Sequence, residues 1–383
     1  MHHIDAYTLS TGDHDFCDIR PFVERHHTFE FSPRKLFGSP WGRLNQLQRW
    51  QDLQRLDRLA SQISREIDSR RYDVVFAQPC VWTQAPLVLR YLQTPAVYYC
   101  HEPPRALHES SYQLHNGSSG WRSNLDKIDP LIPLYRSTAR QLDQKAVRAA
   151  RLVLVNSRFT QKRAKQIYGI DPVVNYHGVD TDVFCPQPPG GKSSYVLSVG
   201  AIQPHKGFDF LIESLGRVPK RTRPTLRLIG NVENPGEQQF LATLAASHGV
   251  ELSVEVRVCQ ATLVDRYCRA ALVAYAPRNE PFGLVPLEAM ACGTAVVSVR
   301  EGGVPETIVH EHTGLLVERD PERFGAAIRH LLDNPALTAG YGRNGRRYVL
   351  DNWSWEKSVA QVQQNLADAV HQSTTFSPGA NNP

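Results

Sequence analysis

Two doubly wound α/β units joined by a short connector is the architecture this sequence predicts, and three observations carry it. Short apolar runs alternate with stretches of helical spacing along almost the whole chain, the pattern of parallel sheets with helices on both faces. Pro and Gly break that rhythm most clearly in Cys185 to Ser194, which reads CPQPPGGKSS. The length of 383 residues exceeds one typical domain and suits two.

The first unit, residues 1–184, opens with a candidate strand at Ile4–Leu9. Leu44, Leu47, Leu56, Leu59, Ile63 and Ile67 then recur at helical spacing and predict an amphipathic helix. Further strands are expected at Val74–Ala77, Ala96–Cys100, Leu152–Asn156 and Val173–Tyr176. Residues 109–130, with Asn116-Gly117-Ser118-Ser119-Gly120, form an irregular stretch long enough to be a lid or mobile segment. After the linker 185–194, the second unit at 195–352 has strands expected at Tyr195–Gly200, Leu226–Gly230, Leu252–Val258, Leu272–Ala276, Ala295–Val299 and Leu315–Val317. The tail 373–383 has no core-forming residues and is expected to be disordered.

Composition narrows the function classes. Apolar residues make up 41% and charged residues 21%, ordinary for a globular protein, and no apolar run has the length of a membrane span. No charged-then-apolar leader opens the chain, so a cytoplasmic location is the expectation. The seven cysteines (Cys17, Cys80, Cys100, Cys185, Cys259, Cys268, Cys292) form no Cys-x-x-Cys pair and read as buried thiols. The net charge is +5 and the pI about 8.8. The excess falls in Arg34-Lys35, Arg70-Arg71 and Arg158 to Lys165, without the interleaved aromatics of a nucleic-acid binder. Solvated helix faces fit it, and so does peripheral attraction to an acidic membrane surface or a phosphorylated acceptor.

The densest chemistry lies in Pro277 to Val299, PRNEPFGLVPLEAMACGTAVVSV. Glu280 and Gly283 follow a strand, at the sheet edge where doubly wound folds bind ligands. A helix is expected from Leu284, with Pro286 in its first turn and Glu288 about one turn on. The amides of Phe282, Gly283 and Leu284 would be free at its start. Carboxylates that accept and amides that donate suit a polyhydroxylated ligand. Read alone, Glu280 also fits a surface loop and Glu288 an exposed helix position. Gly302-Gly303 before Pro305 adds the pattern of a phosphate-binding nest.

Glu280 to Ala291, Gly302 to Thr307 and Thr313 to Val317 closely resemble the family 4 retaining glycosyltransferases of the GT-B fold, and the likeness runs over essentially the whole chain. Asn156-Ser157-Arg158-Phe159 looks like the family's Asn-Ser segment, and Gly178-Val179-Asp180-Thr181 with Phe184 like its inter-domain motif. Val199-Gly200 with Lys206-Gly207 looks like its first donor-domain strand. Trp353-Ser354-Trp355-Glu356 looks like the start of a crossover helix, 353–372, that packs back on the first domain.

The resemblance implies two Rossmann-like parallel-sheet domains facing a central cleft, and transfer of a hexose from a nucleotide-diphosphate sugar to a hydroxyl acceptor. The nucleotide sugar is a co-substrate, with no cofactor and no metal. Glu280 and the amides of Phe282, Gly283 and Leu284 would hold the hexose. Glu288 would bind ribose, Lys206 beside Gly200 would neutralise the diphosphate, and His101 would face the sugar from the acceptor side. A loop histidine capping a strand end is the other reading of His101.

Four features depart from the family pattern. Ala201 stands where an arginine is common, and Tyr176-His177 where Pro-Asn is common. Asp180-Thr181-Asp182 spells a metal-binding Asp-x-Asp, but in an inter-domain turn whose geometry Asp favours. Ile4–Leu9 resembles the family's second strand. The expectation is therefore a first sheet with a gap where the first strand and its Gly-Gly loop would lie, or one filled by a foreign segment. That raises a competing function, a non-catalytic sugar-nucleotide-binding protein or an inactive fragment, against which the retained Lys206, Glu280 and Glu288 argue.

Overall fold

The computed structural model describes residues 2–12, 18–38, 44–109, 131–187 and 193–374. Nearly all of the expected lid, the centre of the linker, Cys17 and the tail beyond Thr374 lie outside the described residues.

In the N-terminal half, β1 (Asp5–Leu9) pairs with β2 (Arg25–Phe29), and β3 (Val75–Ala77), β4 (Ala96–Cys100), β5 (Leu152–Val155) and β6 (Val173–Val174) form a second parallel sheet in that order. Among the described residues no strand bridges the two sheets, which is the break the sequence led us to expect. Side chains span it instead: Tyr72 donates to Asp5 and meets the Tyr7 hydroxyl at 2.9 Å, and Trp82 Nε1 donates to Thr11 Oγ1 at 3.2 Å. β2 was not expected. Arg25-His26-His27-Thr28-Phe29 has little apolar content, and it pairs through its backbone while His27 stacks on Tyr7 at 4.6 Å.

Helix α1 (Asn45–Ser69) buries Leu53, Leu56, Ala60, Ile63 and Ile67, but its first turns leave Leu47 and Trp50 exposed, as is Leu44 just before them. The apolar stripe thus meets a core only from its middle onward. The short α2 (Arg105–His108) follows β4, and α3 (Leu131–Ala149) and α4 (Arg158–Tyr168) flank β5. Ser157 caps α4 by accepting from the Thr160 amide, and Gly169 ends it with φ +66°.

The C-terminal half is one six-stranded parallel sheet of β7 (Tyr195–Val199), β8 (Thr225–Gly230), β9 (Leu252–Val256), β10 (Leu272–Tyr275), β11 (Val296–Val299) and β12 (Gly314–Val317). Its spatial order is β12-β11-β10-β7-β8-β9. Helices α5 (Phe208–Gly216), α6 (Pro235–His248), α7 (Gln260–Arg269), α8 (Leu284–Ala291), α9 (Pro321–Asp333) and α10 (Pro335–Asn352) cover it, with an apolar core on each face. The final helix α11 (Trp355–Thr374) returns to the N-terminal half, where Ala369 packs with Val97, Tyr99 and Leu154. Val179 donates to the Trp353 carbonyl at 2.8 Å where the two halves meet. The thiols are not uniformly buried: Cys100 and Cys292 are, Cys80, Cys185 and Cys268 are half-buried, and Cys259 is exposed.

Candidate active site

Numbered within its own half, the C-terminal sheet runs 6-5-4-1-2-3, so its switch point falls between β7 and β10. The connections leaving those two strands diverge to opposite faces and leave a crevice at their carboxyl ends. The β7 connection brings Gly200 and a turn ending at Lys206; the β10 connection brings Glu280 and Gly283. Gly207 makes the approach feasible: its φ is +70° and a Cβ there would lie 2.0 Å from the Ala276 carbonyl oxygen. The Arg278 amide then donates to the His205 carbonyl at 2.8 Å. Lys206 Nζ consequently reaches both oxygens of Glu280, at 2.9 and 3.1 Å, with the two side chains only 19% and 15% exposed. The sequence assigned these residues to different parts of a ligand, and the fold makes them a pair.

Gly283 is the N-cap of α8 with φ +117°, so the Gly283 and Leu284 amides lie at a helix start, where the first turn has no intrahelical acceptor. The Phe282 side chain is buried against Tyr176, His177 and Trp353, so only its backbone can serve a ligand. Glu288, one turn into α8, is not an exposed helix residue. Its Oε2 accepts from the buried Tyr267 hydroxyl at 2.7 Å. Burial raises its pKa, while the tyrosine bond pulls the other way. Gly302 and Gly303 serve a purpose the nest reading missed. A Cβ on Gly302 would lie 2.3 Å from the Glu280 carbonyl oxygen, and the Gly303 amide donates to that oxygen at 2.7 Å. The pair buttresses the Glu280 loop, so that amide is taken.

From the N-terminal half, His101 follows β4 and its ring makes a three-ring cluster with Tyr99 (4.7 Å) and His177 (5.0 Å), which are 5.1 Å from each other. Its Nδ1 meets His177 Nε2 at 3.1 Å, and its Nε2 meets Gln78 Oε1 at 3.1 Å. Burial lowers the pKa of both rings, that of His177 to about 4 with a further push from His101. For neutral rings the consistent proton order has His101 Nε2–H donating to Gln78 and His177 Nε2–H donating to His101 Nδ1. His101 is therefore part of a side-chain network, beyond capping a strand. His177 meets Phe282 edge-on at 5.6 Å, which links that network to the Glu280 loop.

The sequence did not reveal several cross-cleft ties. Arg105 donates to the carbonyls of Arg278 (2.8 Å) and Asn279 (2.7 Å), and Ser157 donates to that of Pro281. The Glu306 carboxylate accepts from the amides of Arg158 (2.9 Å) and Phe159 (3.0 Å) at the start of α4 and from the Tyr176 hydroxyl (2.8 Å). Glu306 stands in the Gly302 to Thr307 stretch already singled out and Arg105 lies just past His101, but nothing in their neighbours in sequence names their partners. Asp180 Oδ1 accepts from the amides of Asp182 (3.1 Å) and Val183 (3.0 Å), the turn geometry expected of it. Ala201 lines a cavity of about 100 Å³ with Gln203, Val232 and Asn234.

Comparison with known proteins agrees with this layout. Residues 2–183 match the model for Glycosyltransferase Family 4, and residues 184–348 match that for Glycosyl transferases group 1. The GDP-mannose-dependent alpha-(1-6)-phosphatidylinositol monomannoside mannosyltransferase of Mycolicibacterium smegmatis is 30% identical over 62% of this chain and 66% of its own. The D-inositol 3-phosphate glycosyltransferase of Kineococcus radiotolerans is 34% identical over 54% of each. The chain thus spans 54–66% of the length of these curated relatives. In fold it is similar to sucrose-phosphate synthase from Thermosynechococcus elongatus, with a TM-score of 0.70 and 20% identity over 96% of this chain and 88% of that one. Anabaena HepE, solved in complex with UDP and glucose, gives a TM-score of 0.65 at 20% identity over 96% of this chain and 100% of that one. With the two matches running together from residue 2 to 348 and a GT-B fold beneath them, the chain belongs to the family 4 glycosyltransferases.

Proposed function

We propose that the protein transfers a hexosyl group from a nucleoside-diphosphate sugar to a hydroxyl acceptor, with retention of configuration. The observation that carries this reading is the Lys206–Glu280 pair in the switch-point crevice, beside the start of α8 and one turn above Glu288. Without ligand the two charges satisfy each other. A donor replaces both halves of the pair: its phosphate oxygens take the ammonium and the hexose hydroxyls take the carboxylate. As the bond from the anomeric carbon to the diphosphate breaks, negative charge grows on the leaving oxygen, and Lys206 with the first amides of α8 is placed to stabilise it. The acceptor oxygen forms its bond on the same face and its proton passes to the departing diphosphate. This route needs no protein nucleophile, cofactor or metal.

Glu288 accepts from the ribose hydroxyls with the oxygen that Tyr267 leaves open. His101 meets the hexose by exchanging Gln78, the exposed partner of its Nε2. The relatives named for GDP-mannose and for inositol phosphates favour a hexose donor and an anionic acceptor. No helix among the described residues is long and apolar enough to cross a membrane. Peripheral contact is supported by exposed Leu36, Phe37, Leu47 and Trp50 near Arg34, Lys35 and Arg49.

Calorimetry with UDP, GDP and their hexose conjugates, together with donor hydrolysis, tests the proposal. Glu288→Ala should weaken nucleoside-diphosphate binding by about 1.5–3 kcal/mol. Unchanged affinity would remove Glu288 from the ribose site. Binding without hydrolysis or transfer would leave only the sugar-nucleotide-binding function.

A further inference from the structure

The loop that carries Glu280 is shaped by the opposite half of the molecule. Asn279, the residue before Glu280, is held at φ +49°, a left-handed conformation that a non-glycine residue adopts at a cost. Such a conformation persists where its surroundings fix it: within the C-terminal half the Gly303 amide holds the Glu280 carbonyl and the His205 carbonyl holds the Arg278 amide, and from the opposite half Arg105 grips the carbonyls of Arg278 and Asn279. One guanidinium nitrogen donates to the Arg278 carbonyl at 2.8 Å and the other to the Asn279 carbonyl at 2.7 Å, while Nε is paired with Glu102. Arg105 itself is firmly seated. It opens α2, whose His108 bonds the buried Asp143 at 3.0 Å and whose Leu107 carbonyl accepts from Arg140 at 2.6 Å. Three residues separate Arg105 from His101 on one connection.

Resting on the reading of Glu280 as the hexose-binding carboxylate, we propose that Arg105 is a positioning residue. Its planar fork holds the peptides on both sides of Asn279, and so sets the direction in which Glu280 meets the sugar. Because the same segment carries His101, it fixes the spacing between the acceptor-side ring and the donor-side carboxylate. A planar guanidinium can hold two successive carbonyls at once; a lysine ammonium is a point donor and reproduces one of these bonds at best.

The test uses the full chain with Arg105→Gln and Arg105→Lys. Hydrogen exchange over 278–283 without ligand reads the grip itself: exchange there should quicken in both variants, more in Gln than in Lys, while β10 and β11 are unaffected. Affinity for UDP and GDP should stay within about twofold of the parent, because Glu288 and Lys206 are untouched. The extra affinity of UDP-glucose or GDP-mannose over the bare diphosphate should vanish, and turnover should fall about a hundredfold from misplacement of the reacting groups. In a Glu280→Gln background Arg105→Gln should add no further loss. Unchanged exchange over 278–283, an intact sugar increment, or additive losses in the double variant would each overturn the proposal. If the parent binds none of the four nucleotides, the function proposed above fails, and the exchange result still decides whether Arg105 holds the loop.

Discussion

In the C-terminal half six parallel strands share one sheet, and every residue of β10 and β11 is buried. In the N-terminal half the strands divide into a pair and a group of four, and no residue of β1 is buried. Exposed large apolar side chains occur in both halves, but among the described residues the two most exposed, Phe22 (80%) and Val81 (82%), belong to the N-terminal one, against at most 52% for Val232 and Phe240 in the other. Parallel strands are normally covered on both faces, so β1 and β2 are the poorly supported part of the molecule. The candidate site makes little use of them. Its N-terminal contributors sit after β4, all of whose residues are buried, at the start of α4, and after β3 and β6, all in the four-stranded group. The candidate site thus draws on the four-stranded group, and the β1–β2 pair contributes none of its named residues.

The largest difference should appear in native-state hydrogen exchange. Amides of β7, β8, β10 and β11 should open only with global unfolding, about 5–15 kcal/mol, and those of β1 and β2 several kcal/mol earlier. Equal protection would show that side-chain bridges such as Tyr72–Asp5 unite the two N-terminal sheets. Next in size, Lys206→Ala should lower turnover by about two orders of magnitude while leaving exchange in the C-terminal sheet unchanged. Weaker donor binding with normal turnover would confine Lys206 to the ground state.

Acid should act on the histidine network. The folded His177 ring titrates near 4 against 6.5 for an ordinary histidine, and His101 is also lowered, both through burial. Between those values the unfolded chain takes up protons that the folded rings do not, so stability falls as pH drops from 6.5 toward 4. For His177 the loss is roughly 3 kcal/mol, flat outside that window. His205 in the C-terminal half is lowered to about 4 as well, so acid weakens both halves. Denaturant titrations of His177→Asn should show a shallower acid slope; an unaltered slope would assign the loss to other groups. The smallest effect expected is that of EDTA, which should change turnover by less than about twofold. A loss restored by magnesium or manganese would bring Asp180 and Asp182 back as metal ligands.

Much of this was legible in the sequence because it is local. Apolar runs bounded by turn residues marked eleven of the twelve strands found among the described residues, and helical spacing marked α1. β2 escaped because His26, His27 and Thr28 carry no apolar period, and its strand identity comes from the neighbour it pairs with. Glu280, Glu288, Lys206 and His101 could be named from motif and position. That Lys206 and Glu280 form one pair could not, since the contact depends on Gly207 meeting the end of β10.

By itself the sequence determined the alternation that builds parallel sheets and the residue types collected at their carboxyl ends. The tertiary structure alone decided which groups face one another across the cleft. Arg105 lies 174 positions from Asn279 and bonds its backbone carbonyl, and Glu306 lies 148 positions from Arg158 and accepts from its amide. Every residue carries a carbonyl and nearly every one an amide, so such partners have no signature in composition or spacing. Only the folded path of the chain selects one among hundreds.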